Sequence, residues 1–358
     1  MLRLDNYKTL IICIIILNII SLTSLYSSLH QGGEFKHRNI FYRQILWIAI
    51  FWVTLYIFSF INYRFYFDAS FLIYGLSIIF LIAVKLFGKE IMGAQRWFSF
   101  FGISFQPSEF SKLAIVLLLS RLFCEKNFSR GFFSSMMPSL FFVSLSSFLV
   151  FKQPDLGTAG MLFFIFFIMG LFSKIKKRYF IAIIIVGIIF IPLGWNFLKD
   201  YQKKRITVFI NPNVDPLGAG YTIIQSKIAV GSGRLVGKGF LSGTQNQFNF
   251  LPERHTDFIF TVVAEEFGFL GCFFLLSMYF LILRVIYKKI EHIKDDFAQF
   301  LCVGIYSIIF LHVFINIAMT IGFVPVVGLP LLLLSYGGTH LIITAILLGI
   351  FLNINRQW

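Results

Sequence analysis

The residues best suited to chemistry stand in the stretch LPERHTDFIFTVVAEEFG, 251 to 268, where charged side chains precede an apolar segment. Partial removal of water raises the pKa of a carboxylate, so Asp257 at this boundary can act as a general base near neutral pH. The alternative is a helix N-cap at Thr256 or Asp257, favoured by the helix dipole. Glu265 and Glu266 lie about 12 to 14 Å further along a helix, so we expect them to be packing or partner-facing groups.

A second acid stands beside a base in FQPSEFSK, residues 105 to 112. Pro107 suits the first turn of a helix, and three-residue spacing places Glu109 and Lys112 on one face. Charges within apolar spans mark functional sites by default, which favours a polar cavity that handles substrate. An internal ion pair that joins neighbouring helices is the alternative.

Three further polar residues have both a structural and a functional interpretation. Arg96 and Trp97 can anchor the chain at a membrane interface, or the guanidinium can bind a phosphate. Asp155, in QPDLG, can cap the next helix. We predict all three, with Gln106 and Gln153 of the same stretches, as substrate-binding residues.

The segment GSGRLVGKG, residues 231 to 239, resembles a nucleotide-binding loop only superficially. Its glycine spacing is too long by one residue, and Gly239 stands where a Ser or Thr would bind magnesium. We interpret it as glycine turns after a short amphipathic stretch on the membrane surface. Lys227, Arg234 and Lys238 are then available to lipid phosphates, and Lys238 is predicted to bind substrate.

Composition determines the class of protein that must position these residues. The 358 residues are 58% hydrophobic and 13% charged, which indicates an integral membrane protein. Solid apolar runs, without the alternation of a barrel, predict an all-α, polytopic fold with about ten transmembrane helices. The predicted spans are 9–29, 43–61, 69–87, 108–124, 133–151, 157–173, 179–197, 257–284, 297–322 and 331–353.

Charge predicts the orientation of these spans. With a cytoplasmic N-terminus, inside segments carry fifteen basic residues and short outside loops six, so both termini are predicted to be cytoplasmic. The net charge of +15 therefore indicates anionic lipids rather than nucleic acid. We predict one transmembrane domain over 1–358, with a large extracytoplasmic loop at 198–256. The basic residues compared are Arg3, Lys8, Arg64, Arg121, Lys126, Arg130, Lys174, Lys176, Lys177, Arg178, Arg284, Lys288, Lys289, Lys294 and Arg356 against Lys36, Arg38, Arg43, Lys89, Arg96 and Lys152.

These polar blocks carry a resemblance to a known family. GAQRWF, FQPSEFSK, QPDLGTA, GTQNQFNFLPERHTDF and NIAMTIGFVPVVGLP, over nearly the whole chain, are similar to the signature blocks of the SEDS family (shape, elongation, division and sporulation), closest to its elongation branch. Departures are Arg234 for a frequent Gly, Leu332 for a common Pro, and His340 for a usual small hydroxyl residue. The last two affect the expected shape of the tenth span.

The resemblance implies a peptidoglycan glycosyltransferase of the bacterial cytoplasmic (inner) membrane that polymerises lipid II during elongation and rod-shape maintenance. It further implies Asp257 as the catalytic residue, and Glu109 and Lys112 as members of a central cavity. Implied partners are a class B penicillin-binding protein and other elongation-complex membrane proteins.

When lipid II reacts, its leaving group is undecaprenyl pyrophosphate. Such a leaving group needs cations rather than a general acid, so one base and several cations suffice for catalysis. A Mg or Mn ion is expected as a further cation. The alternatives are a lipid II flippase, for which a midplane charge pair would suit transport, and a non-catalytic assembly scaffold.

Overall fold

The protein was analysed as a computed structural model, which describes residues 2–31, 34–35, 38–91, 94–100, 103–125, 136–173, 175–196 and 200–357. The predicted span ends at 133–135 and 197, the loop positions 198–199, and Lys36, Lys126, Arg130 and Lys174 lie outside these ranges. The helices are α1 Leu2–Leu29, α2 Arg38–Phe60, α3 Phe65–Phe87, α4 Pro107–Cys124, α5 Met137–Lys152, α6 Leu156–Phe172, α7 Lys177–Trp195, α8 Asp200–Ile210, α9 Ala219–Ser232, α10 Thr244–Gln247, α11 Ile259–Ile290, α12 Asp296–Thr320 and α13 Gly338–Gln357. The strands are β1 His30–Gln31, β2 Glu34–Phe35, β3 Lys89–Ile91, β4 Ala94–Phe100 and β5 Ile103–Phe105.

The all-α, polytopic fold predicted from the apolar runs is confirmed. Each of the ten predicted spans coincides with one helix among α1–α7 and α11–α13. Within the described part of the chain, six helices are long and apolar enough to cross a membrane: α1, α2, α3, α11, α12 and α13. Helices α5 and α6 are apolar but shorter.

Helix α4 lies at the centre of the bundle. Only Phe110, Arg121 and Cys124 of its residues are not buried. It packs against α3, α12, α6 and α13. A charged pair on this helix is therefore surrounded by protein rather than by lipid.

The tenth span was predicted to begin at 331, but α13 begins at Gly338. Residues 331–335 form a buried turn, in which the Leu334 and Ser335 amides donate to the Leu331 carbonyl and Leu333 has a φ of 67°. The run of leucines misled the prediction because an apolar run indicates burial, not helical backbone. The turn brings residues 336–340 to the same end of the bundle as the start of α11, since the Tyr336 amide donates to the His255 carbonyl.

Helix α11 is interrupted at Gly268, whose φ of 62° and ψ of −158° are not helical. The glycine-rich segment 233–239 packs against this break. Main-chain amides of Lys238 and Phe269 donate to the carbonyls of Glu265 and Arg234 respectively, at 3.0 and 2.9 Å. The segment thus satisfies main-chain groups that a kinked helix leaves without internal partners.

The long connection between α7 and α11 is folded rather than irregular. It contains α8, a 3-10 turn at Pro212–Val214, α9 and α10. A second polar connection, between α3 and α4, forms an antiparallel three-stranded sheet of order β3-β4-β5. That sheet was not predicted, because its short strands lie inside a stretch without clear alternation.

Candidate functional site

A cavity of about 1070 Å³ opens where the N-terminal ends of α4, α6, α11 and α13 meet the long connection. Its wall combines arginines, carboxylates, aromatic rings and glycines from distant parts of the chain. The polar and aromatic lining residues include Arg43, Trp47, Arg96, Trp97, Ser104, Gln106, Glu109, Asp155, Arg205, Thr222, Glu253, Thr256, Asp257, Tyr336, Thr339 and His340.

Asp257 lies half-buried on this wall, two residues before α11. Its main chain is fixed from α12, because Asn316 Nδ2 donates to the Asp257 carbonyl at 2.9 Å and to the Leu329 carbonyl at 2.7 Å. The preceding carbonyl, of Thr256, accepts from Ser335 Oγ at 2.7 Å. The Asp257 carboxylate is thereby held beside the segment that connects α12 to α13.

The segment before Asp257 is anchored to α1 by a buried arginine. Arg254 Nε donates to the Ser28 carbonyl at 2.8 Å, and its Nη1 donates to Asn249 Oδ1. Burial lowers the pKa of Arg254 from its usual value. The Arg254 guanidinium thus stabilises the position of the segment that precedes Asp257.

Burial raises the pKa of the Asp257 carboxyl from 3.8 to about 7. The charges of Glu253 and Asp155 raise it further, while Arg205 and Arg96 lower it. A carboxylate with a pKa near the working pH is a competent proton acceptor.

The alternative prediction, a helix cap at Thr256 or Asp257, is wrong. The N-cap of α11 is Phe258, and no side chain caps this end. Thr256 Oγ1 donates towards Glu253 instead, whose Oε2 lies 3.1 Å away. The Asp257 carboxylate is therefore not used as a cap.

Arginines supply the positive charge of the cavity. Arg96 Nε donates to the Gln153 carbonyl at 2.9 Å, and its Nη2 donates to the Pro154 carbonyl. Arg205, on α8, donates to the Val326 carbonyl at 3.3 Å. Because a guanidinium has five N–H groups, Arg96 is oriented by its two contacts and keeps further donors for an anion.

Sequence reasoning singled out Arg96 but not Arg43, Arg205 or Glu253, which also line the cavity. Arg43 had been counted only as a charge of an outside loop. Arg205 and Glu253 belong to the long connection, whose folding the sequence did not reveal. A survey of every charged residue on the predicted extracytoplasmic side would have included them.

Asp155 has both of the positions that the sequence suggested for it. It is the N-cap of α6, with Oδ1 accepting from the Thr158 amide at 3.1 Å and Oδ2 accepting from Thr158 Oγ1 at 3.0 Å. It also lines the cavity, together with Trp97 and Gln106.

Glu109 and Lys112 form the predicted ion pair, with Lys112 Nζ 2.6 Å from Glu109 Oε1. Glu109 lines the cavity, whereas Lys112 is 1% exposed and is not part of its wall. Lys112 Nζ also lies 2.7 Å from His312 Nε2, and His312 Nδ1 lies 2.9 Å from the Pro330 carbonyl. His312 was missed, although an ionisable residue inside a predicted span is itself a signal.

Lys112, Gln153 and Lys238 were predicted to bind substrate but are not part of the cavity wall. Gln153 is 2% exposed, and its Nε2 donates to the Leu81 carbonyl at 2.9 Å. Lys238 Nζ lies 2.7 Å from Glu265 Oε1 and 2.8 Å from Thr244 Oγ1. The amide of Gln153 and the ammonium of Lys238 thus bind protein groups, because burial places them beside acceptors that the sequence could not pair with them.

Glu265 and Glu266 are packing groups, as one of the two interpretations expected. Glu265 accepts from Lys238 and from the Gln245 amide, and Glu266 accepts from Ser27 Oγ. Both carboxylates are buried, so they join the glycine-rich segment, α10 and α1 to α11.

A divalent cation in the cavity would need oxygen ligands from its acidic side chains. Within the described ranges, no group of three His, Cys, Asp or Glu side chains comes together. Mg²⁺ needs only one or two carboxylates when substrate phosphates complete its shell, and Asp155, Glu253 and Asp257 all line the cavity. The expected Mg or Mn ion remains a prediction, and no chemical step depends on it here.

Fold and site together define a polytopic helical membrane protein whose cavity is lined by both carboxylates and arginines. Residues 6–358 match the cell cycle protein family of FtsW, RodA and SpoVE, and the chain belongs to this family. It is 42% identical, over 290 residues, to the peptidoglycan glycosyltransferase MrdB of Escherichia coli K12, covering 80% of this chain and 77% of that one.

Solved structures of related proteins agree. A chain from work on structural coordination of polymerization and crosslinking by a peptidoglycan synthase complex has a TM-score of 0.82 and 27% identity, with 97% of each chain covered. The rod shape determining protein RodA of Thermus thermophilus has a TM-score of 0.72 and 25% identity, covering 97% of this chain and 96% of that one. Membership of the SEDS family, a multi-pass membrane location and peptidoglycan glycosyltransferase activity are confirmed.

Proposed function

We propose that Asp257 is the general base with which this enzyme polymerises lipid II into glycan strands. The observation that carries this proposal is a half-buried carboxylate, with its pKa raised to about 7, on the wall of a large cavity that also contains three arginines. In the described part of that wall, the other acids are Glu109, Asp155 and Glu253. Glu109 is paired with Lys112, Asp155 caps α6 and Glu253 accepts from Thr256 Oγ1, so Asp257 is the better candidate for proton transfer.

The reaction is a displacement at the anomeric carbon of a lipid-linked saccharide. The acceptor sugar hydroxyl forms a bond to this carbon while the bond to the pyrophosphate oxygen breaks, and the electron pair stays on the undecaprenyl pyrophosphate. Asp257 takes the proton of the attacking hydroxyl. Direct displacement inverts the carbon, so an α-linked pyrophosphate yields a β link.

Leaving-group stabilisation is the proposed role of the arginines. Arg96, Arg205 and Arg43 can each direct N–H groups at a diphosphate, and such preorganised charge lowers the barrier because the donors need no reorientation. Lys112 was a candidate for this role, but its ammonium contacts Glu109 and His312. We therefore assign charge neutralisation to the arginines and an indirect role to Lys112, which is to hold Glu109.

The proposed cellular arrangement rests on the charge distribution of the chain and on one solved relative. We propose that the cavity faces the extracytoplasmic side of the bacterial inner membrane and that both termini lie in the cytoplasm. In this orientation, the cytoplasmic segments carry fifteen basic residues and the short outside loops carry six. A solved relative comes from a complex that coordinates polymerization with crosslinking. A class B penicillin-binding protein is accordingly the proposed partner, and a membrane lipid environment supplies the substrate.

The test uses full-length protein purified in detergent with this partner and given lipid II. Asp257→Asn should reduce polymer by at least about a hundredfold, the usual contribution of a general base. Asp215→Asn is a matched control, because Asp215 pairs with Lys204 in the long connection and is not part of the cavity wall. Undiminished polymer from the Asp257 variant would refute the assignment. Micelles have no second compartment, so polymer formed there also excludes a flippase or an inert scaffold as the explanation.

A further inference from the structure

His340 stands on the cavity wall without a hydrogen-bond partner. Its side chain is 6% exposed, and neither ring nitrogen has a partner in the described structure. The Tyr336 carbonyl approaches the ring without acceptable hydrogen-bond geometry, and it could satisfy only one nitrogen. A buried polar group without a hydrogen-bond partner destabilises the folded protein. We therefore expect the second ring nitrogen to bind a ligand group inside the cavity.

His340 lies in the first turn of α13, on the side of the cavity next to α4, which is called the α4–α13 side. The Gln106 amide, at the start of α4, donates to Thr339 Oγ1 at 3.3 Å. The main chain of Asp257 is instead held by Asn316 of α12.

The α4–α13 side suits a neutral ligand group. Besides His340, it presents Gln106 and the Glu109 carboxylate, and Thr339 Oγ1 donates to the Ser104 carbonyl at 2.9 Å. Because Lys112 is paired with Glu109, this pair supplies no net positive charge to a phosphate. An imidazole offers both a donor and an acceptor, which complement an amide or a hydroxyl.

We infer that His340 is a substrate-binding residue that hydrogen-bonds a neutral amide or hydroxyl of the saccharide-peptide headgroup. This inference rests on the proposed function, because it takes the lipid-linked saccharide as the occupant of the cavity. Because the proposed contact is to a group outside the bond exchange, it governs substrate affinity rather than the proton transfer.

The experiment measures lipid II binding and turnover in full-length protein in detergent. His340→Ala removes the hydrogen bond and His340→Gln retains a donor and an acceptor, while His292→Ala, an exposed histidine after α11, is the matched control. Binding is measured a second time with Asp257→Asn present in every protein. This background separates affinity from catalysis, so a failure of the base assignment does not affect the binding result.

We expect His340→Ala to raise both Kd and KM by about three- to tenfold at unchanged kcat, the effect of one hydrogen bond, and His340→Gln to recover most of this loss. Lipid II without its stem peptide, and lipid II without its acetamido groups, identify the contacted amide, since the loss should disappear with one of them. A loss that persists with both assigns the contact to a sugar hydroxyl. Unchanged Kd and KM for His340→Ala, or a loss shared equally by His340→Gln, would overturn the inference.

Discussion

His312 Nε2 lies 2.7 Å from Lys112 Nζ, although the two residues are 200 positions apart in the chain. The other ring nitrogen of His312 lies 2.9 Å from the Pro330 carbonyl, so Nδ1 is the donor and Nε2 accepts from the ammonium. Through this ring, the segment before α13 is connected to the Glu109–Lys112 pair on α4. The position of the Glu109 carboxylate on the cavity wall depends on that connection.

Replacement of His312 tests this relationship. His312→Phe keeps a ring but leaves the ammonium and the Pro330 carbonyl each without one partner, and should lower stability by about 1–3 kcal/mol. His312→Gln preserves a donor and an acceptor and should be milder. Thermal unfolding in detergent gives the comparison, and equal melting temperatures for the Phe variant and the unmodified protein would contradict it.

Replacing one member of the Glu109–Lys112 pair should lower the free energy of unfolding more than replacing both. Lys112→Met leaves the buried Glu109 charge unpaired, and Glu109→Gln leaves that of Lys112, each with an expected cost of about 3–5 kcal/mol. The double variant carries no buried charge and should recover part of that stability. A double-mutant cycle of unfolding measures the coupling, and strictly additive losses would argue against the pair.

The pH dependence of turnover should follow Asp257. Its pKa is raised to about 7 by burial, so the carboxylate is protonated at lower pH and cannot accept a proton. Polymerisation by the unmodified enzyme should therefore rise with pH and level off above about 7. Initial rates at saturating lipid II give the profile, with lipid II binding followed over the same range as the control. A flat profile between about pH 5.5 and about pH 8.5 would contradict the role of Asp257 as base.

The contribution of Asp257 to stability should decrease as the pH rises, which is opposite to its effect on turnover. Because the folded-state pKa of Asp257 lies above 3.8, ionisation of the carboxylate destabilises the folded protein. This cost is absent well below pH 3.8, increases as the pH rises to about 7, and is complete above that. Asp257→Asn should therefore raise the melting temperature at pH 8 and have little effect at the lowest pH tolerated. A variant that is less stable than the unmodified protein at pH 8 would exclude a destabilising carboxylate.

Gly268 should be intolerant of any side chain. Its φ is 62°, and an added Cβ would lie 2.3 Å from the Gly237 amide nitrogen. Gly268→Ala should cost at least about 2 kcal/mol and loosen the glycine-rich segment from α11. Gly231→Ala is the matched control, since Gly231 lies in α9 with open space around its Cβ, and it should be neutral or stabilising by up to about 1 kcal/mol. Similar melting temperatures for the two variants would disprove the close approach.

The sequence by itself determined what depends on composition and short spacing. Solid apolar runs predicted the ten helices, three-residue spacing predicted the contact of Glu109 with Lys112, and the QPDLG stretch predicted the Asp155 cap. Each of these is decided within one helix or at its end, where backbone geometry places neighbouring side chains without help from the rest of the chain.

Tertiary structure decided which distant groups meet. Only packing between helices brings His312 to Lys112, turns Lys238 towards Glu265 instead of a lipid, and adds Arg205 to the wall beside Asp257. Composition identified Asp257 as a costly charge, but the burial that raises its pKa depends on elements far apart in the chain. The spacing within one segment carries no information about those contacts.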